Sequence, residues 1–200
     1  MYIAVVAGES SGDRLAAGVM RAVREQIPQA RFVGVGGNEM RALGLDSLFD
    51  MSEISFVGLD GLVRHVWRIL SIRRRLYRYF LNDPPDLFIG VDVPDFNLSL
   101  ERRLKKAGIP TMHYVAPTVW AWRKNRAKYL SKYVDKLLTI LPFEKKYFTK
   151  FNLNTKFVGH PIYEIKKNKK DVKKLFDKFQ IKLEWEIKFS FKKEILVIKK

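Results

Sequence analysis

The chain has 200 residues, 47% of them apolar, with no cysteine and a net charge of +17. That is enough for one sizeable domain, or one domain and part of another. It excludes a disulfide framework and a thiolate metal site, and no apolar run approaches the roughly 18 residues needed to span a bilayer. The charge points to an anionic partner, a role that phosphate, nucleic acid or an anionic membrane surface could each fill. It is unevenly spread, because residues 166–200 hold 13 lysines against 5 acids and the body is only moderately basic.

In chain order, residues 2–7 (Tyr2-Ile-Ala-Val-Val-Ala7) form an apolar run without a basic leader. This predicts a first strand rather than a signal peptide. The junction Gly8-Glu-Ser-Ser-Gly12-Asp13 opens a helix over 13–26. Its small residues would let a ligand approach a helix N-terminus, where amide donors favour anions. It is neither a dinucleotide fingerprint nor a P-loop, since Gly8 and Gly12 are four apart and no Gly-Lys-Ser follows. The competing reading is a tight turn with Ser11 or Asp13 as N-cap. A strand over 31–35 ends in Gly34-Val-Gly-Gly37, read as a turn in which glycine supplies positive φ.

A helix is predicted over 59–80, with Leu62, Val66, Ile69, Leu70, Leu76 and Phe80 at helical spacing. Arg64, Arg68, Arg73, Arg74, Arg75 and Arg78 supply its charge. A basic amphipathic helix is a membrane-surface signature. A helix covering a sheet with its apolar side would look the same, although Trp67 favours an interface.

Leu87-Phe-Ile-Gly-Val91 is the most informative run. It is too short for a helix, reads as a buried strand, and ends on Asp92 with a second carboxylate, Asp95, beyond Pro94. Open α/β sheets keep their chemistry at the C-terminal ends of such strands. Pro94 is expected to fix the turn and Asn97 to cap a helix over 98–107. Alternatively the two aspartates only cap a turn. A strand over 111–115 leads into His113-Tyr-Val-Ala-Pro-Thr-Val-Trp-Ala-Trp-Arg123. There Trp120, Trp122 and Arg123 would suit a sugar or an anionic head group, or simply pack. Helices over 124–133 and 143–151 and strands over 136–140 and 156–158 follow. His65, His113 and His160 lack the spacing of a metal site.

The alternation predicts an α/β fold with a doubly wound parallel sheet. Right-handed crossovers would gather loops 8–13, 36–38, 92–96 and 116–122 on one edge. After Pro161 the composition changes to a Lys-rich stretch, with a possible helix over 171–179 and strand over 194–198 but no loop bearing site chemistry.

Six blocks together resemble one family, the lipid-A-disaccharide synthases. They are Ala7-Gly-Glu-Ser-Ser-Gly-Asp13, Phe32-Val-Gly-Val-Gly-Gly37, Phe88-Ile-Gly-Val-Asp-Val-Pro-Asp-Phe-Asn97, His113-Tyr-Val-Ala-Pro-Thr-Val-Trp-Ala-Trp-Arg123, Leu141-Pro-Phe-Glu-Lys145 and Phe157-Val-Gly-His-Pro161. The resemblance implies the N-terminal half of a two-domain, GT-B type glycosyltransferase with facing Rossmann-like halves. It implies transfer of diacylglucosamine from a UDP donor to diacylglucosamine 1-phosphate, giving the lipid A disaccharide phosphate and UDP. No metal or other cofactor is implied. Asp92 corresponds to the family's proposed general base, and Gly8, Glu9, Ser10, Ser11, Gly12, Asp95, Asn97 and Trp120 would bind substrate. Leu62, Val63, Val66, Ile69 and Leu70 would contact acyl chains or membrane, making the protein cytoplasmic and peripheral on the inner face of the cytoplasmic membrane.

The implied organisation is an acceptor-side, catalytic-base domain over 1–163 and an atypical tail over 164–200. The family continues past Gly-His-Pro into a UDP-binding domain that opens with Leu-Pro-Gly-Ser-Arg. No Gly-Ser-Arg follows Pro161, so the tail reads as a truncation or frameshift remnant. A homo-oligomer or a second polypeptide is a possible partner, and the chain would be active only if another polypeptide supplied the second half. The alternative function is an inactive basic module that binds membrane surfaces. Nucleic acid is not an expected partner, for the chain has no DNA- or RNA-reading motif.

Overall fold

The computed structural model describes residues 1–55, 62–119 and 125–160, with the backbone alone at 62–65 and 125. The predicted helix and strand within 164–200, the start of the helix at 59–61, and Trp120, Trp122 and Arg123 lie outside the described residues.

Seven parallel strands form one sheet in the order β3-β2-β1-β4-β5-β6-β7. They are β1 (Tyr2–Ala7), β2 (Arg31–Gly36), β3 (Leu45–Asp50), β4 (Leu87–Val91), β5 (Thr111–Tyr114), β6 (Lys136–Thr139) and β7 (Thr155–Phe157). The inner strands are near-continuous apolar runs because both faces of a parallel sheet are covered by helices. Successive residues alternate between those faces. Ile3, Val5, Ile89 and Val91 meet Leu15, Val19, Met20 and Val23 of α1 (Ser10–Arg24). Ala4, Val6 and Phe88 meet α3 (Leu62–Asn82) through Ile72, Leu76 and Phe80, and α4 (Pro94–Lys106) through Leu100 and Leu104. A third cluster joins Leu98 and Leu137 to Leu130 of α5 (Asn125–Tyr133) and Phe148 of α6 (Lys145–Thr149).

The fold class is the expected one, and six of the seven strands fall where the apolar runs put them. Three elements are additions: β3, α2 (Asn38–Ala42) before it and a short 3-10 helix (Met51–Glu53) after it. A five-residue helix is too short to show a period. The edge strand Leu45-Asp-Ser-Leu-Phe-Asp50 buries only Leu45 fully.

Three local expectations are corrected. The positive φ in the β2 region belongs to Gly34 (154°), whereas Gly37 sits at −91°. Gly34 is glycine because a Cβ there would lie 1.9 Å from the Val5 carbonyl oxygen. Helix α1 begins at Ser10 behind Glu9, and neither Ser11 nor Asp13 caps it. The Asp13 carboxylate instead accepts from the amides of Gly37 (2.8 Å), Glu39 (3.0 Å) and Met40 (3.2 Å), capping α2 from a neighbouring element. Helix α4 begins at Pro94 behind Val93, so Asn97 lies inside it and is not its cap. Proline's φ is already helical and its missing N–H costs nothing in the first turn.

Helix α3 covers the sheet with part of its apolar pattern and leaves the rest exposed. Ile72, Leu76 and Phe80 are buried on the sheet, while Val66, Trp67 and Leu70 are 46%, 69% and 41% exposed and Ile69 is half-buried. Nothing is described of the Leu62 and Val63 side chains.

Candidate functional site

The chain leaves β1 for β2 and β3 on one side, then returns to β4 on the other. Strands β1 and β4 pair in register from Ile3–Leu87 to Ala7–Val91. Their C-terminal ends therefore flank the topological switch point, where the diverging loops of an open sheet leave a crevice. Both junctions singled out in the sequence meet here.

On the β1 side, Gly8 and Gly12 are buried while Glu9, Ser10 and Ser11 are exposed at the N-terminus of α1. Gly8 is glycine for space, since a Cβ would lie 2.9 Å from Cγ2 of Val93. The Ser55 hydroxyl is hydrogen-bonded to the Gly8 carbonyl, tying this junction to the loop after β3.

On the β4 side, Asp92 and Val93 both adopt left-handed backbone, at φ 52° and 42°. For a β-branched residue such as Val93 this is a true outlier. Each such residue costs roughly 1–3 kcal/mol and persists only where its surroundings over-determine it. The surroundings are visible. The Asp92 amide donates to the Tyr114 carbonyl (2.9 Å), and the amides of Phe96 and Asn97 both donate to the Val93 carbonyl (3.0 Å). The buried Asn97 amide Nδ2 lies against the carbonyls of Asp92 (2.8 Å), Val6 (3.3 Å) and Val91 (3.4 Å).

The two carboxylates have different company. Asp95 is exposed and ion-paired with Arg126 of α5, and Arg73 of α3 reaches its backbone carbonyl at 3.4 Å. Asp92 is half-buried at the crevice, with no hydrogen bond or ion pair to its carboxylate among the described residues. Of the two aspartates on this side, Asp92 is the one whose carboxylate has no partner among the described residues.

Behind this turn lies a buried polar pair that sequence reasoning missed. His113 Nδ1 of β5 and Glu101 Oε1 of α4 are 2.7 Å apart, and neither side chain is exposed. Burial pushes the Glu101 carboxyl above its ordinary range, and the neighbouring His113 works against that rise. Gly90, paired in register with His113, makes the room: a Cβ on it would lie 2.2 Å from Glu101 Oε1 and 3.0 Å from Asn97 Cβ. Among the described residues, Asn97 Oδ1, Glu101 Oε2 and His113 Nε2 have no hydrogen-bond partner. The sequence did carry a signal. Asn97 and Glu101 share helical spacing with Leu100 and Leu104, so they occupy an otherwise apolar stripe.

Among solved structures the fold is similar to that of UDP-GlcNAc 2-epimerase from Neisseria meningitidis bound to UDP-GlcNAc. The TM-score is 0.55 at 10% identity, over 91% of this chain and 54% of that one. The enzyme of the same name from Methanocaldococcus jannaschii gives 0.54 at 13% identity, over 88% and 52%. Strand order and crevice define the class: a Rossmann-like, doubly wound domain of the kind that makes up half of a GT-B glycosyltransferase. Within that class the chain belongs to the lipid-A-disaccharide synthetase family, whose model matches residues 3–188.

The lipid-A-disaccharide synthase of Alkalilimnicola ehrlichii is 51% identical over 161 residues, 80% of this chain and 42% of that protein. Those of Aeromonas hydrophila and Vibrio cholerae are 49% and 48% identical, over 79% and 81% of this chain and 42% and 43% of theirs. The chain thus spans well under half the length of these curated relatives.

Proposed function

We propose that this segment is the acceptor-side half of a lipid-A-disaccharide synthase, with Asp92 as general base. The observation that carries it is the Asp92 carboxylate, unpartnered among the described residues and held at the crevice by a strained turn at the C-terminal end of β4. Asp92 takes the proton from the 6-hydroxyl of diacylglucosamine 1-phosphate as that oxygen attacks the anomeric carbon of the UDP-linked diacylglucosamine. The bond from the anomeric carbon to the UDP oxygen breaks, and UDP leaves with the electron pair. Glu9, Ser10 and Ser11 line the opposite side of the crevice, where the free amides of the α1 N-terminus favour an anionic or hydroxyl-rich group. Asp95, paired with Arg126, shapes the rim.

Residues 1–163 form the functional unit in this reading, and Trp120 completes its substrate contacts. The donor-binding half comes from elsewhere in the complete enzyme. The exposed Val66, Trp67 and Leu70 with the arginines of α3 set the domain against the inner face of the cytoplasmic membrane, from which acylated substrates are drawn. Each acyl methylene buried is worth about 0.8 kcal/mol.

The test is a chimera of residues 1–163 with the remaining part of the Alkalilimnicola ehrlichii relative, assayed for disaccharide formation. General-base catalysis typically contributes 100-fold or more, so Asp92→Asn should lower turnover by at least about 100-fold without unfolding the domain. Turnover by Asp92→Asn close to that of the parent chimera would remove Asp92 from the mechanism.

A further inference from the structure

We propose that Asn97 is a positioning residue that aims Asp92, and that the Glu101–His113 pair anchors it. The assignment rests on the reading of Asp92 as the base, and it moves Asn97 from the substrate to the scaffold.

Asn97 has no exposed surface in this structure, so it presents nothing to a ligand in the crevice. Its amide faces inward instead, towards the last carbonyls of the two strands that flank the switch point: Val6 of β1, and Val91 and Asp92 at the end of β4. The shortest contact, 2.8 Å, is to the Asp92 carbonyl. That carbonyl belongs to the first of two consecutive left-handed residues, neither of them glycine. Without an inward donor, the Asp92 carbonyl would have no reason to point below the crevice floor, and the turn would relax to ordinary backbone. Its side chain would then swing with it.

One helical turn along α4, Glu101 fixes the same face of the helix to β5 through His113. Both contacts pass over Gly90, the one position of β4 where a side chain would collide with Glu101 and crowd Asn97. Glycine in the strand, asparagine and glutamate at i and i+4 of the helix, and histidine in the next strand form one layer. Its upper end holds the carboxylate-bearing turn. A purely structural polar pair would not need to reach the carbonyl of the reactive residue.

Two measurements separate positioning from bulk stability. In the full chain, backbone 13C and 15N shifts of Asp92 and Val93 should report left-handed φ, and Asn97→Ala should move both residues out of that region. In the chimera used for Asp92, Asn97→Ala should lower kcat by about 100-fold with a smaller change in KM, as expected when a reacting group is displaced by about an ångström. Asn97→Ser keeps one donor and should recover part of both effects; it also carries the test if the alanine variant fails to fold. Retention of the left-handed turn in Asn97→Ala, or a lowered melting temperature with kcat unchanged, would overturn the proposal. Should Asp92→Asn stay active while Asn97→Ala still releases the turn, the base assignment fails and the positioning geometry stands.

Discussion

Helices α3 and α4 pack side by side on one face of the sheet, yet each breaks the usual rule of burial in the opposite direction. Helix α4 buries Asn97 and Glu101 completely, while the first turns of α3 leave Val66, Trp67 and Leu70 in solvent. Buried polar groups and exposed apolar patches are the two observations that carry information, because apolar cores and charged surfaces are what any fold supplies. Strand partners hold one side of each group, carbonyls for Asn97 Nδ2 and an imidazole for Glu101 Oε1, while Asn97 Oδ1 and Glu101 Oε2 have no partner among the described residues. One inversion points inward to the turn that bears Asp92, the other outward to solvent.

The comparison can be broken most severely at Gly90. Gly90→Ala places a methyl group 2.2 Å from Glu101 Oε1. Overpacking of this kind costs about 1–3 kcal/mol, so thermal unfolding should show a clear drop in Tm. An unchanged Tm would mean that α4 is free to shift and that the layer is not tightly built.

A smaller effect should follow pH at Glu101. Its folded carboxyl holds the proton more tightly than the unfolded chain does, because burial raises it above the ordinary value of 4.5. The associated stability is therefore fully present below that value and is lost as pH rises through the raised one. Glu101→Gln removes this dependence, so its melting temperature relative to the parent should improve steadily as pH rises above 4.5. A difference that stays constant with pH would show that Glu101 does not titrate in the fold.

The outward inversion should barely register in stability. Replacing Trp67 and Leu70 together by serine is expected to change unfolding free energy by about 0.5 kcal/mol or less, as at other exposed positions. Sedimentation with vesicles containing anionic phospholipid should nevertheless fall about tenfold or more, since burying a large apolar side chain is worth roughly 1.5–3 kcal/mol. Equal vesicle binding by parent and variant would take α3 out of the membrane reading.

Much of the architecture was legible in the residues. The apolar runs at Tyr2–Ala7 and Leu87–Val91 are strands with the predicted bounds, because a strand covered on both faces must be apolar throughout. Asp92 could be placed at the end of β4 for the same reason. Less legible was anything whose partner lies far along the chain. Asp13 reads locally as the cap of its own helix, but it caps α2, 24 residues away at Gly37. Asn97 likewise reads as a cap for the helix that follows Pro94. Nothing near it in sequence announces the Val6 carbonyl, 91 residues upstream.

The sequence by itself determined the alternation of strand and helix, the family blocks, and the carboxylate at the end of the central strand. These depend on short-range periodicity and on turn chemistry that acts within a few residues. Only the tertiary structure decided that β1 and β4 lie side by side, that Gly90 opens a slot beside His113, and that Glu101 fills it with Asn97 at its edge. Hydrogen bonds between elements form wherever packing brings donor and acceptor together, and the pattern of any one segment does not record its neighbours.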